Sequence, residues 1–210
     1  MTDTKERIIR TAEVLFARDG YAGTSLRNIT DEADVNVAAV NYHFGSKENL
    51  LIEILDRIVI PINDDRLRLL GQIDQDENPD LEQVLTAFLL PDLKSIHELR
   101  ERDPALTRFV SRMYTEGSEL MGQIMGRQFA EVQRRFYQAL GRALPHLTAD
   151  DIAWRLHCVV GIVIYLFASA AGTGMPKMVG QNIDEDLRKL LDITVAIMTA
   201  PSQGGDASVS

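Results

Sequence analysis

Between Val35 and Lys47 the chain carries small and polar side chains whose chemistry suits contacts with DNA. Asn41 can pair bidentately with adenine, and Val37, Ala38 and Ala39 are small enough to contact thymine methyl groups. Hydroxyl, imidazole and cationic groups beside them suit phosphate oxygens. The predicted DNA-binding set is Thr24, Ser25, Arg27, Asn36, Val37, Ala38, Ala39, Asn41, Tyr42, His43 and Lys47.

A short helix must present these side chains. Asn36 is a suitable N-cap residue, and Val40 and Phe44 are four residues apart, which places both on one buried face. A helix this brief is not stable alone in water. Thr24 or Ser25 is expected to cap a preceding helix, so the pattern predicts a helix-turn-helix whose second helix fits the DNA major groove.

The bulk composition is that of a soluble globular protein, with 45% hydrophobic and 25% charged residues in 210. The net charge of −9 is unusual for a DNA-binding protein. Residues 1–50 contain six basic and eight acidic side chains, so any DNA contact must depend on where a few cations lie. A single cysteine, Cys158, and a polar N-terminus without a signal peptide predict a cytoplasmic protein. The apolar run from Cys158 to Gly172 is too short to span a bilayer.

The rest of the chain reads as helices, and the predicted fold class is all-α, with a three-helix DNA-binding domain followed by a larger helical domain. We expect a helix-turn-helix domain at 1–50, a ligand-binding and dimerisation domain at 51–200, and a disordered tail at 201–210. Pro61 predicts that the fourth helix kinks or ends near Ile60.

Residues 5–51 resemble the DNA-binding domain of the tetracycline-repressor (TetR) family of bacterial transcription regulators. The residues that carry the resemblance, in order and at the spacing of the family, are Ile9, Ala12, Leu15, Phe16, Gly20, Thr24, Ile29, Ala33, Val35, His43, Phe44, Lys47 and Leu50. Two positions depart from the family pattern. Asp34 stands where glycine is usual, and Asn41 stands where tyrosine is common.

The resemblance implies a homodimer that binds a palindromic operator in double-stranded DNA and is released from it by a small-molecule effector. It therefore implies a ligand-responsive transcriptional regulator that acts as a repressor. The effector would be apolar or amphipathic, and the run from Val35 to Lys47 is most similar to a subgroup that includes fatty-acid-responsive regulators. The alternative is an all-α ligand-binding or scaffold protein that no longer binds DNA.

Two residue sets in the second domain are candidates for these roles. The adaptable apolar set expected to bind the effector is Met113, Met121, Met125, Phe129, Trp154 and His157. The set expected at the dimer interface is Gly161, Tyr165, Ala168, Leu187, Leu190 and Thr194. An intramolecular core is the alternative meaning of both patterns.

The sequence predicts no enzyme activity, cofactor or metal site. His157 and Cys158 are adjacent on a helix and point apart, which is a poor geometry for proton transfer. His97 and Glu101 have helical spacing for two metal ligands, but a solvated polar face is the expected role of this pair.

Overall fold

The computed structural model describes residues 3–73, 75–115, 119–172 and 176–201, with no description of the side chains at 102, 104, 113–115 and 121. Within these ranges the chain is helical and contains no strand, so the predicted all-α class is confirmed. The helices are α1 (Thr4–Gly23), α2 (Leu26–Glu32), α3 (Val37–Phe44), α4 (Lys47–Ile73), α5 (Leu81–Arg102), α6 (Pro104–Thr115), α7 (Glu119–Ala143), α8 (Ala149–Ala170) and α9 (Ile183–Thr199). Met113 and Met121 belong to the side chains outside this description, and the predicted tail lies outside it beyond Pro201.

The chain divides into two compact units. Unit 1 contains 1–62, 95–128 and 164–179, and unit 2 contains 63–94, 129–163 and 180–210. Helices α4, α5, α7 and α8 each contribute to both units. The boundary at residue 50 is predicted from function, between DNA binding and ligand binding with dimerisation. That boundary stays a prediction.

Local side-chain caps fix several helix starts where the sequence predicts them. Asn36 Oδ1 accepts a hydrogen bond from the Ala38 N–H at 2.9 Å, and Asn182 Oδ1 accepts one from the Asp184 N–H at 2.9 Å. Thr148 Oγ1 accepts from the Asp151 N–H at 3.1 Å. Each bond satisfies an N–H that the helix itself leaves without a partner.

The fourth helix does not end at Pro61, contrary to one of the two sequence-based alternatives. Helix α4 continues through Pro61 to Ile73. Proline removes the hydrogen bond to the carbonyl of Arg57 and costs about 3 kcal/mol in a helix interior. Ile58, Val59 and Ile62 are buried beside it, and burial of side chains of this size stabilises by about 1.5–3 kcal/mol each. Packing therefore outweighs the local preference.

Unit 1 joins the N-terminal helices to α6. Phe16 of α1 and Phe109 of α6 are both fully buried, with ring centroids 6.0 Å apart. Beside them, Arg112 Nη1 donates to the carbonyls of Ala17 at 3.2 Å and Arg18 at 2.8 Å. The end of α1 is thus held by an apolar contact and by a cation on its carbonyls, where the helix dipole favours positive charge.

Unit 2 is built around aromatic packing and a buried ion pair. The rings of Phe88 and Phe136 meet edge to face with centroids 5.1 Å apart. Arg66 and Asp92 form an ion pair whose side chains are 3% and 4% exposed. Helix α9 packs on α8 in this unit, where Arg155 donates to the carbonyl of Met198 at 2.6 Å.

Helix α8 is long and apolar enough, by length and composition, to cross a membrane. Half of its most apolar window is buried in the protein, and Leu156, Val159 and Phe167 are core residues. A core helix of a soluble domain has the same length and composition, so α8 carries little evidence for a membrane.

Candidate nucleic-acid interface

Helix α3 presents one buried and one exposed face, as its sequence predicts. Val40 is completely buried and Phe44 is 7% exposed. On the other side, Tyr42 is 85% and Val37 is 42% exposed. Asn36, Ala38 and Asn41 are exposed too, while Ala39 and His43 are half-buried. The exposed face carries no formal charge and consists mainly of short side chains, so a base pair can approach the helix closely.

The turn before α3 is closed by backbone hydrogen bonds. Asp34 has a positive φ of 51°, which only a minority of residues adopt and for which aspartate is one of the better candidates. The Val35 N–H donates to the Thr30 carbonyl at 3.0 Å and the Asp34 N–H to the Asp31 carbonyl at 3.4 Å. These two bonds form a Schellman motif, so Asp34 replaces the usual glycine without opening the turn.

Ser25 and Asn36 lie at the starts of α2 and α3, and both use side-chain oxygens as caps. Ser25 Oγ accepts from the Asn28 N–H at 3.1 Å, and the Ser25 N–H donates to Asn28 Oδ1 at 3.1 Å. Of the two predicted candidates, Thr24 and Ser25, it is therefore Ser25 that caps α2. Both residues are exposed, and their role towards DNA stays a prediction.

Thr24 does not face solvent, which corrects its place in the predicted DNA-binding set. The residue is 2% exposed, and its hydroxyl donates to the carbonyls of Gly20 at 2.8 Å and Leu15 at 3.3 Å. Gly20 has φ 79° and ψ 166°, a conformation that is essentially restricted to glycine. The hydroxyl of Thr24 thus closes the bend that Gly20 introduces into α1.

Lys47 is also engaged inside the protein. Its ammonium donates to the carbonyls of Tyr21 at 2.9 Å and Thr24 at 2.8 Å, and it lies 4.1 Å from the centroid of the Tyr21 ring. Burial lowers the pKa of Lys47. Two of the three N–H groups of the ammonium thus point at the end of α1, and the phosphate contact of Lys47 stays a prediction. No periodicity in the sequence could reveal these bonds, which span 23 and 26 residues.

Arg112 and Lys47 together fix the end of α1. Arg112 binds carbonyls before the Gly20 bend, and Lys47 binds carbonyls after it. Sequence reasoning missed Arg112, because it lies 94 residues from its nearest partner, Arg18, and belongs to no local motif. Lys47 therefore connects the first residue of α4 to the segment that precedes α2.

Most other cations of α1 have acidic partners nearby. Lys5 Nζ lies 2.9 Å from Glu53 Oε1, Arg10 Nε lies 3.4 Å from Glu6 Oε1, and Arg18 Nη2 lies 2.8 Å from Asp19 Oδ2. Arg27 differs, because its side chain is 87% exposed and its Nε is 3.9 Å from Asp31 Oδ2. Of Lys5, Arg27 and Lys47, Arg27 therefore has the most exposed side chain.

Glu13 gives this part of the protein a dependence on pH. Burial raises the pKa of Glu13 from 4.5 to about 7, with Asp103 and Glu6 adding to the increase and Arg57 and Arg10 opposing it. The unfolded chain loses this proton near pH 4.5 and the native protein near pH 7, so stability falls as the pH rises through that range.

We expect Glu13→Gln to be more stable than the wild type at pH 8, by about 1–3 kcal/mol, and to lose this advantage near pH 4. Urea unfolding at the two pH values measures the difference. Glu32→Gln is the control, because Glu32 is exposed on α2. An advantage of Glu13→Gln that is equal at both pH values would contradict the assignment.

The predicted effector residues with described side chains belong to different units, and their role stays a prediction. Met125 lines a small apolar cavity of about 10 Å³ in unit 1, about enough for one water molecule. The other lining residues are Leu55, Ile58, Val59, Ile62, Val110 and Phe167. In unit 2, Phe129 is half-buried, with its ring centroid 5.7 Å from the Arg66 guanidinium. Trp154 is 73% exposed and His157 is exposed, with Nδ1 2.7 Å from the Ala153 carbonyl, so neither lines an interior pocket.

The predicted dimer residues divide into exposed and buried groups. Gly161 is exposed, Tyr165 is 37% exposed and Leu187 is half-buried. Ala168, Leu190 and Thr194 are buried within the chain, so they are core residues and not interface residues. The Thr194 hydroxyl donates to the Leu190 carbonyl at 2.8 Å. Intramolecular packing, the alternative left open by the sequence, accounts for these three.

Family models match both the N-terminal and the C-terminal part of the chain. Residues 8–54 match the family model of bacterial regulatory proteins of the tetR family, and residues 86–200 match that of the tetracyclin repressor-like C-terminal domain. The second match alone covers more than half of the 210 residues. The chain belongs to the TetR family.

Relatives and solved structures agree with this membership. The probable HTH-type transcriptional regulator YttP of Bacillus subtilis (strain 168) is 34% identical over 122 residues, which is 58% of this chain and 56% of YttP. The HTH-type transcriptional repressor KstR of Rhodococcus jostii (strain RHA1) is 28% identical over 135 residues, 61% of this chain and 58% of KstR. The chain thus spans little more than half the length of these two relatives.

Two structures of TetR-like fold cover nearly the whole chain. The SmeT–triclosan complex superposes with a TM-score of 0.66 at 22% identity, covering 99% of each chain. NalD, the secondary repressor of the MexAB-OprM multidrug efflux pump in Pseudomonas aeruginosa, has a TM-score of 0.62 at 21% identity, covering 91% of this chain and 93% of NalD. At these identities the likeness shows the fold.

Proposed function

We propose that this protein is a cytoplasmic, dimeric, ligand-responsive transcriptional regulator that represses by binding a palindromic operator. The observation that carries the proposal is the exposed, uncharged face of α3 on a closed helix-turn-helix. Within the described residues this face is exposed to solvent, and its width and chemistry suit the DNA major groove. This favours a DNA-binding protein over a scaffold that has lost DNA binding.

The base contacts follow from the side chains on that face. Asn41 is exposed and can donate to and accept from adenine, while Val37 and Ala38 offer methyl groups to thymine. Tyr42 is 85% exposed, and its hydroxyl would donate to a phosphate. We therefore expect A·T pairs in each half-site.

The dimer would use the exposed apolar surface of α8 and α9. Along α8, Trp154, Cys158 and Gly161 are exposed, and α9 exposes Ile193 to 50%. An exposed tryptophan beside other apolar groups is typical of a protein interface. A dimer that reads a palindrome must hold its two α3 helices one DNA turn apart, about 34–36 Å.

The effector would enter the apolar cavity beside Met125. All seven lining residues are apolar, and they come from α4, α6, α7 and α8, so an apolar or amphipathic molecule is the expected ligand. A cavity of about 10 Å³ must expand to accept it. Expansion would displace α4. The first residue of α4 is Lys47, whose ammonium is bonded to the end of α1. The ligand would act by preferring the expanded, DNA-incompetent state.

Selection from a random duplex library tests the proposal. We expect the wild-type protein to enrich a palindrome with A·T pairs in each half. Trp154→Lys is expected to be monomeric at micromolar concentration and to lose enrichment, because it places a charge in the proposed interface. Sedimentation and the reaction rate of the single thiol, Cys158, measure the dimer.

Ile60→Lys is the matched control, since Ile60 is 47% exposed on α4 and lies outside the proposed interface. It should dimerise and select DNA like the wild type. A wild-type protein that stays monomeric or enriches no sequence would contradict the proposed function.

A further inference from the structure

We infer that the effector is an apolar molecule with one protonated amine, which binds the carboxylate of Asp56 while its apolar part enlarges the cavity beside Met125. The inference rests on the proposed function and names the chemical class of the effector. It excludes the fatty-acid-like effector that the sequence resemblance implies, because a carboxylate end would meet Asp56 with a charge of the same sign.

A polar contact joins two of the helices that line the cavity in unit 1. Gln128 Nε2 of α7 donates to Asp56 Oδ1 of α4 at 2.6 Å. Asp56 lies three residues before Val59, and Gln128 lies three residues after Met125; Val59 and Met125 both line the cavity. Residues three apart in a helix are neighbours on its surface. The carboxylate therefore lies about one helical turn from the cavity.

The carboxylate of Asp56 has a neutral partner although it is half-buried. In the described part of the chain its side chain is bonded by the Gln128 amide and takes part in no ion pair. The next residue, Arg57, pairs with other carboxylates, since its Nη1 lies 2.8 Å from Glu6 Oε2 and its Nη2 lies 3.6 Å from Glu53 Oε1. A carboxylate that is partly removed from water is stabilised better by a cation than by an amide. Asp56 therefore favours a ligand that brings a positive charge.

The cavity specifies the rest of the ligand. All seven lining side chains are apolar, so they cannot solvate a charged group. A molecule whose apolar part enters the cavity and whose ammonium stays at the edge suits both environments. The ammonium takes the place of the Gln128 amide on Asp56, which breaks this hydrogen bond between α4 and α7 as the cavity expands. The ligand thus binds the expanded state in preference to the closed one, as the proposed function requires.

Three probes with the same eight-carbon chain test the class of ligand: octylamine, octanol and octanoate. Calorimetric titration at neutral pH and about 0.15 M KCl measures their dissociation constants. We expect octylamine to bind about tenfold or more tighter than octanol, because a hydrogen bond between charged groups is stronger than one to a neutral hydroxyl. Octanoate should bind more weakly than octanol. An octylamine affinity no higher than that of octanol, or no binding of octylamine, overturns the inference.

Asp56→Asn tests the residue. The variant should bind octanol like the wild type, which also shows that it is folded, and should bind octylamine no tighter than octanol. Asp64→Asn is the matched control, because Asp64 is an exposed carboxylate on the same helix and its loss changes the net charge equally. It should keep the preference for the amine. A preference that survives in Asp56→Asn, or that disappears in Asp64→Asn, would show attraction to the acidic surface and not to Asp56.

Release from DNA separates this inference from the proposed function. Saturating octylamine should weaken binding of the selected duplex about tenfold or more in the wild type and Asp64→Asn, and much less in Asp56→Asn. Ethylamine, which has the same charge and almost no apolar part, should release no DNA. A protein that selects a duplex but keeps it in octylamine overturns this inference alone. A protein that selects no duplex contradicts the proposed function, and the titrations of the three probes still decide the role of Asp56.

Discussion

Asn41→Ala is expected to weaken binding of the selected duplex by about 30-fold or more. A bidentate contact between asparagine and adenine contributes about 1–3 kcal/mol, and a dimer makes it twice, so the expected loss is about 2–6 kcal/mol. The side chain is exposed on α3, and its neighbours Val37 and Ala38 are short enough to allow the contact. The preference for adenine at one position of each half-site should disappear with it.

A titration of selected and single-base-substituted duplexes measures both effects. Asn78→Ala makes the same chemical change at an exposed position in the α4–α5 loop and should bind like the wild type. If Asn41→Ala keeps the wild-type affinity and the same base preference, Asn41 does not read the operator.

Asp92→Leu is expected to lower the free energy of unfolding by about 3–5 kcal/mol, because it leaves Arg66 charged and buried without its carboxylate. Arg66 also donates to the Phe88 carbonyl at 3.0 Å and to Asn63 Oδ1 at 3.1 Å, and its guanidinium lies 4.5 Å from the Phe88 ring centroid. Burial raises the pKa of Asp92, and Arg66 opposes that increase. Neither partner can therefore be removed alone without leaving a polar group uncompensated.

Thermal and urea unfolding of three variants test this. For a protein of this size the Tm should fall by about 6–20 °C in Asp92→Leu. The double variant Arg66→Met/Asp92→Leu should recover most of the loss, since apolar replacement of a buried pair is often neutral. Arg68→Met is the matched control, because it breaks a pair with Asp65 that is 54% and 44% exposed and is worth at most about 1 kcal/mol. A Tm of Asp92→Leu within about 2 °C of the wild type would contradict the prediction.

The sequence predicts the exposed and buried faces of helices better in unit 1 than in unit 2. In unit 1 the sequence motif names the residues of α3 and their faces, and the structure adds Arg112 and the true partners of Lys47. In unit 2 the sequence indicates an apolar α8 and α9, but the faces were assigned incorrectly for Trp154, Leu190 and Thr194. An apolar stripe can pack inside the chain or against a second copy, and periodicity alone cannot say which of the two it does.

The sequence by itself determined the helices, their caps at Asn36, Thr148 and Asn182, and the buried face of α3, because each depends on residues within four positions of one another. The family membership also follows from the ordered motif. Only the tertiary structure decided the course of α4 through Pro61, the burial of Thr24 and the use of Lys47 on the carbonyls of α1. These depend on packing and on hydrogen bonds between distant segments, whose free energies exceed the local preferences that a sequence reveals.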